Sequence, residues 1–284
     1  MTTLRSRLLN THRDVTEQEL QQAVAGKVVL VTGASHGIGR ALSQRLAGAG
    51  AELLMVARSR DVLEQLAAEL GPNAHACPAD LSEPEDVARL LSELKAGFPT
   101  PDFVVSNAGK SIRRSIAESY DRMHDFTRTI AINYLGPVQL LLGVLEPMRE
   151  RGSGHIVNVS TIGVLVPPAP RWAAYISSKS AFDVWLRATA AETAHDGVTA
   201  TSIYMGLVHT RMSAPTNDFK DVPGLKPEQA AGIVCTALVH RPPRIAPWWA
   251  SGSAAFGAIA RGPSDAVMRH YGRRIDARGA QRSQ

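Results

Sequence analysis

The stretch that decides the fold of this chain is Val28-Val29-Leu30-Val31-Thr32-Gly33-Ala34-Ser35-His36-Gly37-Ile38-Gly39. Its four leading apolar residues are typical of a strand that is buried on both faces. A glycine-rich turn follows at once, and apolar residues then recur at helical spacing as far as Ala49. A strand, a glycine-rich turn and a helix in this order form a site for a dinucleotide pyrophosphate.

Each glycine of this turn has a predicted role. Gly33 allows the tight turn, Gly37 lets the backbone approach a phosphate, and Gly39 lets the helix pack closely against the strand. The spacing is Gly-x-x-x-Gly-x-Gly and not Gly-x-Gly-x-x-Gly. The other residues of the turn that we expect to contact the cofactor are Ser35, His36 and Ile38.

Further apolar runs alternate with amphipathic helical patterns along the chain. The later strands are predicted at 53–56, in a segment that reaches Asp80, at 103–105, 155–160 and 198–204, and at Ile245-Ala246. Such alternation implies βαβ crossovers, so we predict an α/β fold with a doubly wound parallel sheet flanked by helices. We divide the chain into an N-terminal helical extension (1–25), one catalytic domain (26–246) and a basic C-terminal segment (247–284). The loop 207–224 is predicted to cover the carboxyl edge of the sheet, where ligands bind in such folds.

Length and composition limit the classes of protein that this chain can represent. A chain of 284 residues with 44% hydrophobic content suffices for one large domain and is short for two. Cys77 and Cys235 are the two cysteines, which predicts no disulfide framework and no metal site. No apolar run reaches the roughly 18 residues of a spanning helix, and the first 25 residues lack the apolar centre of a signal peptide. We therefore predict a cytoplasmic protein.

The net charge of +5 is concentrated near the C-terminus. Residues 241–284 contain eight arginines and two aspartates. This segment is either a solvated tail or a surface for an anionic partner, which could be a phosphate-bearing substrate or a membrane. The apolar residues Trp248, Trp249, Phe256 and Ile259 lie in the same segment, which leaves a lid, a dimer contact and a membrane contact open. Nucleic acid is not an expected partner, because no aromatic-rich basic groove or helix-turn-helix pattern is present.

The end of the second predicted strand indicates which dinucleotide binds. An acidic residue there would accept a hydrogen bond from the ribose and select NAD. This chain instead has Arg58, whose planar guanidinium suits a 2′-phosphate and predicts NADP(H). The alternative is that Arg58 is an ordinary surface residue. Asp80 is predicted to accept from the adenine amino group, and Leu81 beside it is included in the predicted cofactor site.

Tyr175 and Lys179 are four residues apart, so on a helix they lie on one face. A phenol with a pKa near 10 is a weak acid–base catalyst at neutral pH, and a nearby ammonium favours its ionised form. Lys179 is therefore predicted to tune Tyr175, which donates its proton to a substrate oxygen during carbonyl reduction. Such a pair alone is common on solvated helices, and the glycine turn upstream is what favours catalysis.

These motifs resemble the short-chain dehydrogenase/reductase family over roughly residues 26–246. The resemblance implies a Rossmann-type fold and gives Asn133 a role in holding a helix bulge and a water that connects to Lys179. The family's catalytic serine falls on Thr161. The gap to Tyr175 is one residue longer than usual, which leaves Ser160 as an alternative. The resemblance adds further cofactor contacts, namely Asn107, Ala108, Gly109, Gly206, Val208 and Thr210.

Four segments resemble the fatty acyl-CoA reductase-like branch of that family more closely: 154–164, 174–179, 207–216 and 240–246. This resemblance implies an apolar carbonyl substrate, which could be an aldehyde, a ketone or an acyl thioester. The family also implies a homodimer or homotetramer built on helices near 121–149 and 172–194. The alternatives are a catalytically silent NADP(H)-binding sensor or scaffold, a reversible alcohol dehydrogenase acting on a non-lipid substrate, and a peripheral membrane protein.

Overall fold

The computed structural model describes residues 14–166, 168–216 and 222–282, with side chains described as far as residue 274. One parallel sheet of seven strands forms its centre, in the order β3-β2-β1-β4-β5-β6-β7. The strands are β1 (Val28–Thr32), β2 (Glu52–Ala57), β3 (Ala74–Pro78), β4 (Phe103–Ser106), β5 (Gly154–Thr161), β6 (Val198–Met205) and β7 (Arg244–Ile245). The predicted α/β fold with a doubly wound parallel sheet in one domain is confirmed.

Helices cover both faces of this sheet. They are α1 (Glu17–Val24), α2 (Gly37–Gly48), α3 (Arg60–Leu70), α4 (Pro84–Gly97), α5 (Met123–Ile130), α6 (Gly136–Glu150), α7 (Ala173–Thr193), α8 (Pro227–His240), α9 (Ala250–Ile259) and α10 (Arg261–Arg282). Short 3-10 turns occupy Ile162–Val164 and Ala194–Asp196. All five residues of β1 are buried, as a strand covered on both faces requires.

The strand order reverses between β1 and β4, which are neighbours in the sheet although β2 and β3 lie between them in sequence. In doubly wound sheets a ligand crevice opens at this switch point, outside the carboxyl ends of the strands. The glycine turn follows β1 directly, and Asn107-Ala108-Gly109 follows β4 directly. The topology therefore brings two of the predicted cofactor segments to one crevice.

The N-terminal extension is part of the packed structure. Thr16 and Glu19 form a capping box that starts α1. Leu20 and Val24 are fully buried and belong to the same hydrophobic cluster as the apolar face of α8. Arg45 of α2 also pairs with Glu17 at 2.7 Å. Helix α1 therefore packs against the domain that follows it.

The helical stretch near 121–149 consists of three parts. The helices α5 and α6 are joined by a π-helical segment, Ala131–Leu135.

By length and composition the whole stretch 123–150 could cross a membrane, which was not predicted from the sequence. This is weak evidence, because a core helix passes the same test, and Leu141, Val144 and Met148 of α6 are buried in the hydrophobic cluster on one face of the sheet.

The C-terminal segment forms two helices with few buried residues. Ala250 of α9 and Ser264 of α10 are the buried positions among the described side chains beyond Pro247. The short last strand is Arg244–Ile245, one residue earlier than predicted. Helix α10 returns to the body of the protein at Gly272, where an added Cβ would contact Pro170 at 3.3 Å.

Candidate active site

The glycine turn has the backbone geometry that close approach of a phosphate requires. Gly33 and Gly37 both have positive φ values, of 68° and 55°. A Cβ at Gly39 would overlap the carbonyl oxygen of Gly33, so only glycine lets α2 begin this close to β1. His36 is the N-cap of α2 but makes no side-chain capping bond, and its Nδ1 lies 3.0 Å from the Ser35 hydroxyl. The first backbone N–H groups of α2 are thus not capped by this side chain, and such groups bind anions.

A hydrogen-bonded clamp joins this turn to the end of β4. The Thr32 hydroxyl accepts from the backbone N–H groups of Asn107 and Ala108, each at 2.9 Å. The side-chain amide of Asn107 donates to the Thr32 carbonyl oxygen at 2.9 Å. A Cβ at Gly33 would stand 2.9 Å from Asn107 Nδ2, so the two segments are in close contact. The clamp fixes both walls of the crevice. The sequence analysis assigned no role to Thr32.

Tyr175 and Lys179 lie on α7 and face the end of β5. The Tyr175 phenol is within reach of the hydroxyl of Thr161, the last residue of β5, and this hydroxyl favours the ionised form of the phenol. Lys179 Nζ donates to the carbonyl oxygen of Val159 at 3.1 Å, and the lysine is only 5% exposed. The structure therefore brings together a phenol, a hydroxyl and a buried ammonium at the carboxyl end of one strand.

Burial controls the protonation of both groups in the structure. Burial raises the pKa of Tyr175 to about 12, and the hydrogen bond with Thr161 acts in the opposite direction. Burial also lowers the pKa of Lys179 to about 8. The net shift of the Tyr175 pKa is upward because the loss of solvent outweighs the interactions that favour the phenolate. The phenol accordingly stays protonated at neutral pH, as a proton donor must.

Asn133 occupies the π-helical segment, so the helix bulge that the family resemblance implies is present. Its Oδ1 accepts from the backbone N–H of Lys110 at 2.8 Å, and its Nδ2 donates to the Lys110 carbonyl and the Ser178 hydroxyl, both at 2.9 Å. The Ser178 hydroxyl in turn donates to the Tyr175 carbonyl oxygen. Asn133 thus ties the loop after β4 to the turn of α7 that carries Tyr175.

Ser160 and Thr161 are placed differently although they are adjacent. The Thr161 hydroxyl contacts Tyr175 and accepts from the Gly163 N–H at 3.3 Å. Ser160 is buried, and its hydroxyl has no hydrogen-bond partner among the described residues. Both residues line the cavity described below, but only Thr161 is joined to the phenol.

Arg58 and Asp80 meet at the ends of β2 and β3. Arg58 Nη1 lies 3.6 Å from Asp80 Oδ2, and the arginine side chain is 75% exposed. Asp80 also accepts from the backbone N–H and the hydroxyl of Ser82, at 2.9 and 2.6 Å. Leu81 is buried, and its backbone carbonyl is packed so closely against Gly136 that a Cβ there would overlap it. The side chain of Leu81 therefore lies in the core.

The loop after β6 has a fixed base. The backbone N–H of His209 donates to Leu225 O, and that of Leu225 donates to Leu207 O, both at 2.9 Å. Next to this pairing, the Ser213 hydroxyl donates to the Val208 carbonyl at 2.9 Å. Residues 217–221, in the middle of the predicted 207–224 lid, lie outside the described residues.

One cavity of about 530 Å³ joins these elements. The predicted site residues that line it are Gly33, His36, Gly37, Ile38, Asn107, Ala108, Gly109, Ser160, Thr161, Tyr175, Lys179, Gly206, Val208 and Thr210. The predicted residues that do not line it are Ser35, Gly39, Arg58, Asp80, Leu81 and Asn133. Of these, Ser35 and Gly39 belong to the glycine turn, and Asn133 acts through its hydrogen bonds.

Apolar side chains that were not predicted from the sequence form one wall of this cavity. Its members that lie close to Thr161, Tyr175 or Gly206 in sequence are Ile162, Val166, Trp172, Ile176, Met205 and Met212. Their positions next to the sequence motifs could have indicated this wall. Residues that flank a catalytic position at the end of a strand or helix line the same crevice as that position. Lys110 and Arg211 also line the cavity and were not predicted.

The described residues fit a nicotinamide dinucleotide. Glycines hold the backbone open where added Cβ atoms would crowd the crevice, the N-terminus of α2 opens on the cavity, and a buried lysine lines it. The turn and helix would hold the pyrophosphate, and Lys179 and Tyr175 would adjoin the nicotinamide ribose. When bound, the nicotinamide would supply or accept a hydride.

Comparisons with known proteins agree with this architecture. The sequence profile of the family described as short chain dehydrogenase matches residues 27–221. An uncharacterized oxidoreductase of Mycobacterium tuberculosis is 45% identical over 257 residues, covering 88% of this chain and 74% of that protein. A fatty acyl-CoA reductase of Acinetobacter baylyi is 45% identical over 233 residues, covering 81% of this chain and 79% of that protein.

Solved structures show the same likeness. A short-chain dehydrogenase from Streptomyces avermitilis superposes with a TM-score of 0.73 at 25% identity, over 89% of this chain and 99% of that one. A 3-ketoacyl-(acyl-carrier-protein) reductase from Brucella melitensis, solved with NADH, gives a TM-score of 0.69 at 27% identity, over 75% and 91%.

Proposed function

The chain belongs to the short-chain dehydrogenase family, and on that premise we propose that it reduces the carbonyl group of an apolar substrate with NADPH. Membership makes it an oxidoreductase with fatty acyl-CoA reductases among its relatives. The preference for NADPH, the apolar substrate and the residue roles are proposals that rest on the geometry of the site.

Tyr175 is the proposed proton donor. Its phenol, protonated at neutral pH because burial raises its pKa to about 12, gives its proton to the carbonyl oxygen. Thr161 donates a hydrogen bond that polarises the same carbonyl or stabilises the phenolate left behind. The ammonium of Lys179, one helical turn away, stabilises that negative charge. Asn133 positions the turn of α7 that carries Tyr175, through Ser178.

The proposed preference for NADPH rests on Arg58. Its exposed guanidinium stands at the end of β2, where a carboxylate would accept from the ribose of NAD. A guanidinium binds a phosphate through paired hydrogen bonds, so it suits the 2′-phosphate of NADPH. The related reductase solved with NADH shows that this fold also accommodates the cofactor without that phosphate.

The proposed apolar substrate rests on the cavity wall. Trp172, Ile176 and Met212 line it together with Ile162 and Val166. Such a wall binds an alkyl chain by removing its surface from water, at roughly 25 cal/mol per Å². A fatty acyl thioester, a long aldehyde and a long ketone all fit this description. Reduction of the thioester consumes NADPH and a proton and releases an aldehyde and the free thiol.

The observation that supports the proposal is that Thr161, Tyr175 and buried Lys179 line one cavity, with Lys179 one turn beyond Tyr175 on α7. The test is NADPH oxidation by the purified chain against acyl-CoAs, aldehydes and ketones of matched chain length. We expect turnover that rises with chain length, and release of free thiol when the substrate is an acyl-CoA.

Tyr175→Phe should lose roughly 10²–10⁴-fold in turnover while still binding NADPH, because it lacks only the proton to be donated. Tyr120→Phe is the matched control, since Tyr120 is 84% exposed and is not among the residues lining the cavity. Retained activity in Tyr175→Phe would refute the assigned mechanism. NADPH binding without turnover of any carbonyl by the unmodified chain would instead favour a sensor.

The proposed assembly is a homodimer or homotetramer in the cytoplasm. Proteins of this family commonly oligomerise, and apolar side chains remain exposed on the helices expected to form the contact. They include Leu142 of α6 at 60% exposure and Val184 of α7 at 62%. The mass of the protein in solution, measured by light scattering with and without Val184→Glu, tests this arrangement.

A further inference from the structure

Helix α9 is apolar and yet largely uncovered. Its ten residues, ASGSAAFGAI, include no charge, and Ala250 is the buried one. Phe256 is 53% exposed and Ile259 is 87% exposed, and Trp248 just before the helix is 66% exposed. An apolar helix of this length is normally either a core helix or an interfacial segment. The exposure of its large side chains excludes a core helix.

Helix α10 adds positive charge beside this apolar surface. Arg261, Arg269, Arg273 and Arg274 are all exposed, and Asp265 is the acidic residue among the described side chains of this helix. Its apolar residues Val267 and Tyr271 are 57% and 49% exposed. Neither helix has a strongly amphipathic pattern. The attraction to a membrane surface therefore comes from exposed aromatic and aliphatic side chains combined with arginines, which an anionic membrane surface favours.

We propose that α9 and the adjoining part of α10, residues 261–274, dock on an anionic lipid bilayer. Trp248, Phe256 and Ile259 enter the boundary between headgroups and acyl chains. Arg269 and Arg273, one turn apart on α10, lie near the lipid phosphates. Indole rings are favoured at this boundary because they are amphipathic, and each arginine near an anionic surface adds attraction.

The positive charge of this surface favours an anionic bilayer, and not a second copy of this chain, as its binding partner. In a two-fold dimer the same patch contacts itself, so the arginines of α10 would approach their own copies. Like charges placed close together oppose association. An anionic bilayer supplies the complementary charge along the whole patch, and the apolar side chains need only shallow insertion.

The docking surface adjoins the wall of the cavity. Gly272 of α10 packs against Pro170, and the neighbouring Ala169 lines the cavity. A chain docked through α9 and α10 therefore holds this wall of the cavity near the bilayer. Apolar molecules concentrate in the bilayer, so docking would place the cavity close to such molecules. The docking proposal itself rests on the exposed helices and stands independently of the reaction.

The test is co-sedimentation of the 284-residue chain with vesicles of phosphatidylcholine, alone or mixed with phosphatidylglycerol. We expect binding to the mixed vesicles that weakens as salt is raised, and little binding to phosphatidylcholine alone. Arg269→Gln with Arg273→Gln should weaken binding roughly fivefold for each arginine removed. Phe256→Ser and Ile259→Ser should each weaken it by roughly tenfold.

Matched controls are Tyr120→Ser, which removes an exposed aromatic ring elsewhere, and Arg60→Gln with Arg89→Gln on α3 and α4. These controls should bind vesicles as the unmodified chain does. Circular dichroism and NADPH binding check that every variant is folded. Equal binding to both vesicle types, or unchanged binding by Phe256→Ser and Ile259→Ser, would overturn the proposal. So would a vesicle-free dimer that these two variants convert to a monomer, since the patch would then be an interface between copies.

Discussion

Lys179 donates its hydrogen bond to the carbonyl oxygen of Val159, at 3.1 Å, and so the backbone of β5 fixes the ammonium one helical turn from Tyr175. A Cβ at Gly109 would stand 3.3 Å from the same Nζ, so the end of β4 confines the ammonium from another side. The ammonium is therefore held from two sides, by the backbone of β5 and by the segment that follows β4.

The pH dependence of catalysis should follow Lys179. Burial lowers the pKa of Lys179 to about 8, whereas that of Tyr175 is raised to about 12. Above about pH 8 the lysine becomes neutral and no longer stabilises the phenolate. We expect kcat/KM for carbonyl reduction to fall roughly tenfold per pH unit there. Lys179→Arg, which keeps its charge, should be less active at pH 7 and should lack this fall. A flat profile for the unmodified chain would contradict the role of Lys179.

Substitutions should separate the two hydroxyls at the end of β5. Thr161→Ser keeps the hydroxyl that bonds to Tyr175 and should stay within a few-fold of full activity. Thr161→Ala removes it and should lower kcat by roughly 10²-fold or more. Ser160→Ala removes a buried hydroxyl without a described partner, so activity should persist and stability should not fall. Steady-state kinetics and thermal melting measure both effects. A larger loss of kcat in Ser160→Ala than in Thr161→Ala would reverse the assignment.

Arg58 should decide the choice between the two cofactors. A hydrogen bond to a charged group contributes about 1.5–3 kcal/mol, so Arg58→Ala should raise KM for NADPH by roughly 10–100-fold and leave KM for NADH nearly unchanged. Arg60→Ala, two residues further along and paired with Glu64, is the matched control. Equal effects of Arg58→Ala on both cofactors would show that Arg58 does not contact the 2′-phosphate.

The sequence predicted the sheet well because each central strand is a short apolar run followed by a distinctive turn. The strand predicted at 28–31 is observed at Val28–Thr32, and the one predicted at 155–160 is observed at Gly154–Thr161. The interruption of the long helix by Ala131–Leu135 could not be derived from spacing. It depends on bonds from Asn133 to Lys110 and Ser178, which are distant in sequence.

The protonation states of the site residues were harder to predict from the sequence than the identities of those residues. The spacing of Tyr175 and Lys179 predicts that they share a helix face, but not how much solvent reaches them. Their pKa values follow from packing of α7 against β5 and from the contact with Val159. The exposure of the apolar residues in 247–284 was equally hard to predict, because these residues lack a clear sequence pattern. Their exposure on α9 reflects how few contacts this helix makes with the rest of the protein.

Two glycines of α2 offer a matched test of the turn. A Cβ at Gly39 would overlap the carbonyl oxygen of Gly33, so Gly39→Ala must push α2 away from β1. We expect a loss of at least about 1–3 kcal/mol of stability, as in an overpacked core, together with weaker NADPH binding. A Cβ at Gly48 meets nothing within 4 Å, so Gly48→Ala should be neutral or stabilise by about 0.5–1 kcal/mol. Chemical unfolding of both variants measures the difference, and equal stabilities would show that the close contact is not required.

His155 should make the stability of the fold sensitive to acid. It is fully buried in β5, with Nδ1 at 2.8 Å from Thr199 Oγ1 and Nε2 at 3.1 Å from Thr201 Oγ1. The Thr201 hydroxyl donates to the Pro242 carbonyl, so it accepts from Nε2–H, and the neutral ring is satisfied. Burial, with a further contribution from Arg241, lowers the pKa of His155 from 6.5 to about 4.

Between these two values the unfolded chain binds a proton that the folded chain does not, so stability falls as the pH drops from 6.5 towards 4. The full effect of one such group is about 3 kcal/mol. Urea unfolding across this range should show the loss, and His155→Gln should be less stable at pH 7 but lose less on acidification. His195→Gln is the control, because that side chain is 73% exposed in the folded protein. If His155→Gln and the unmodified chain lose stability in parallel, the acid sensitivity comes from carboxylates and not from the buried imidazole.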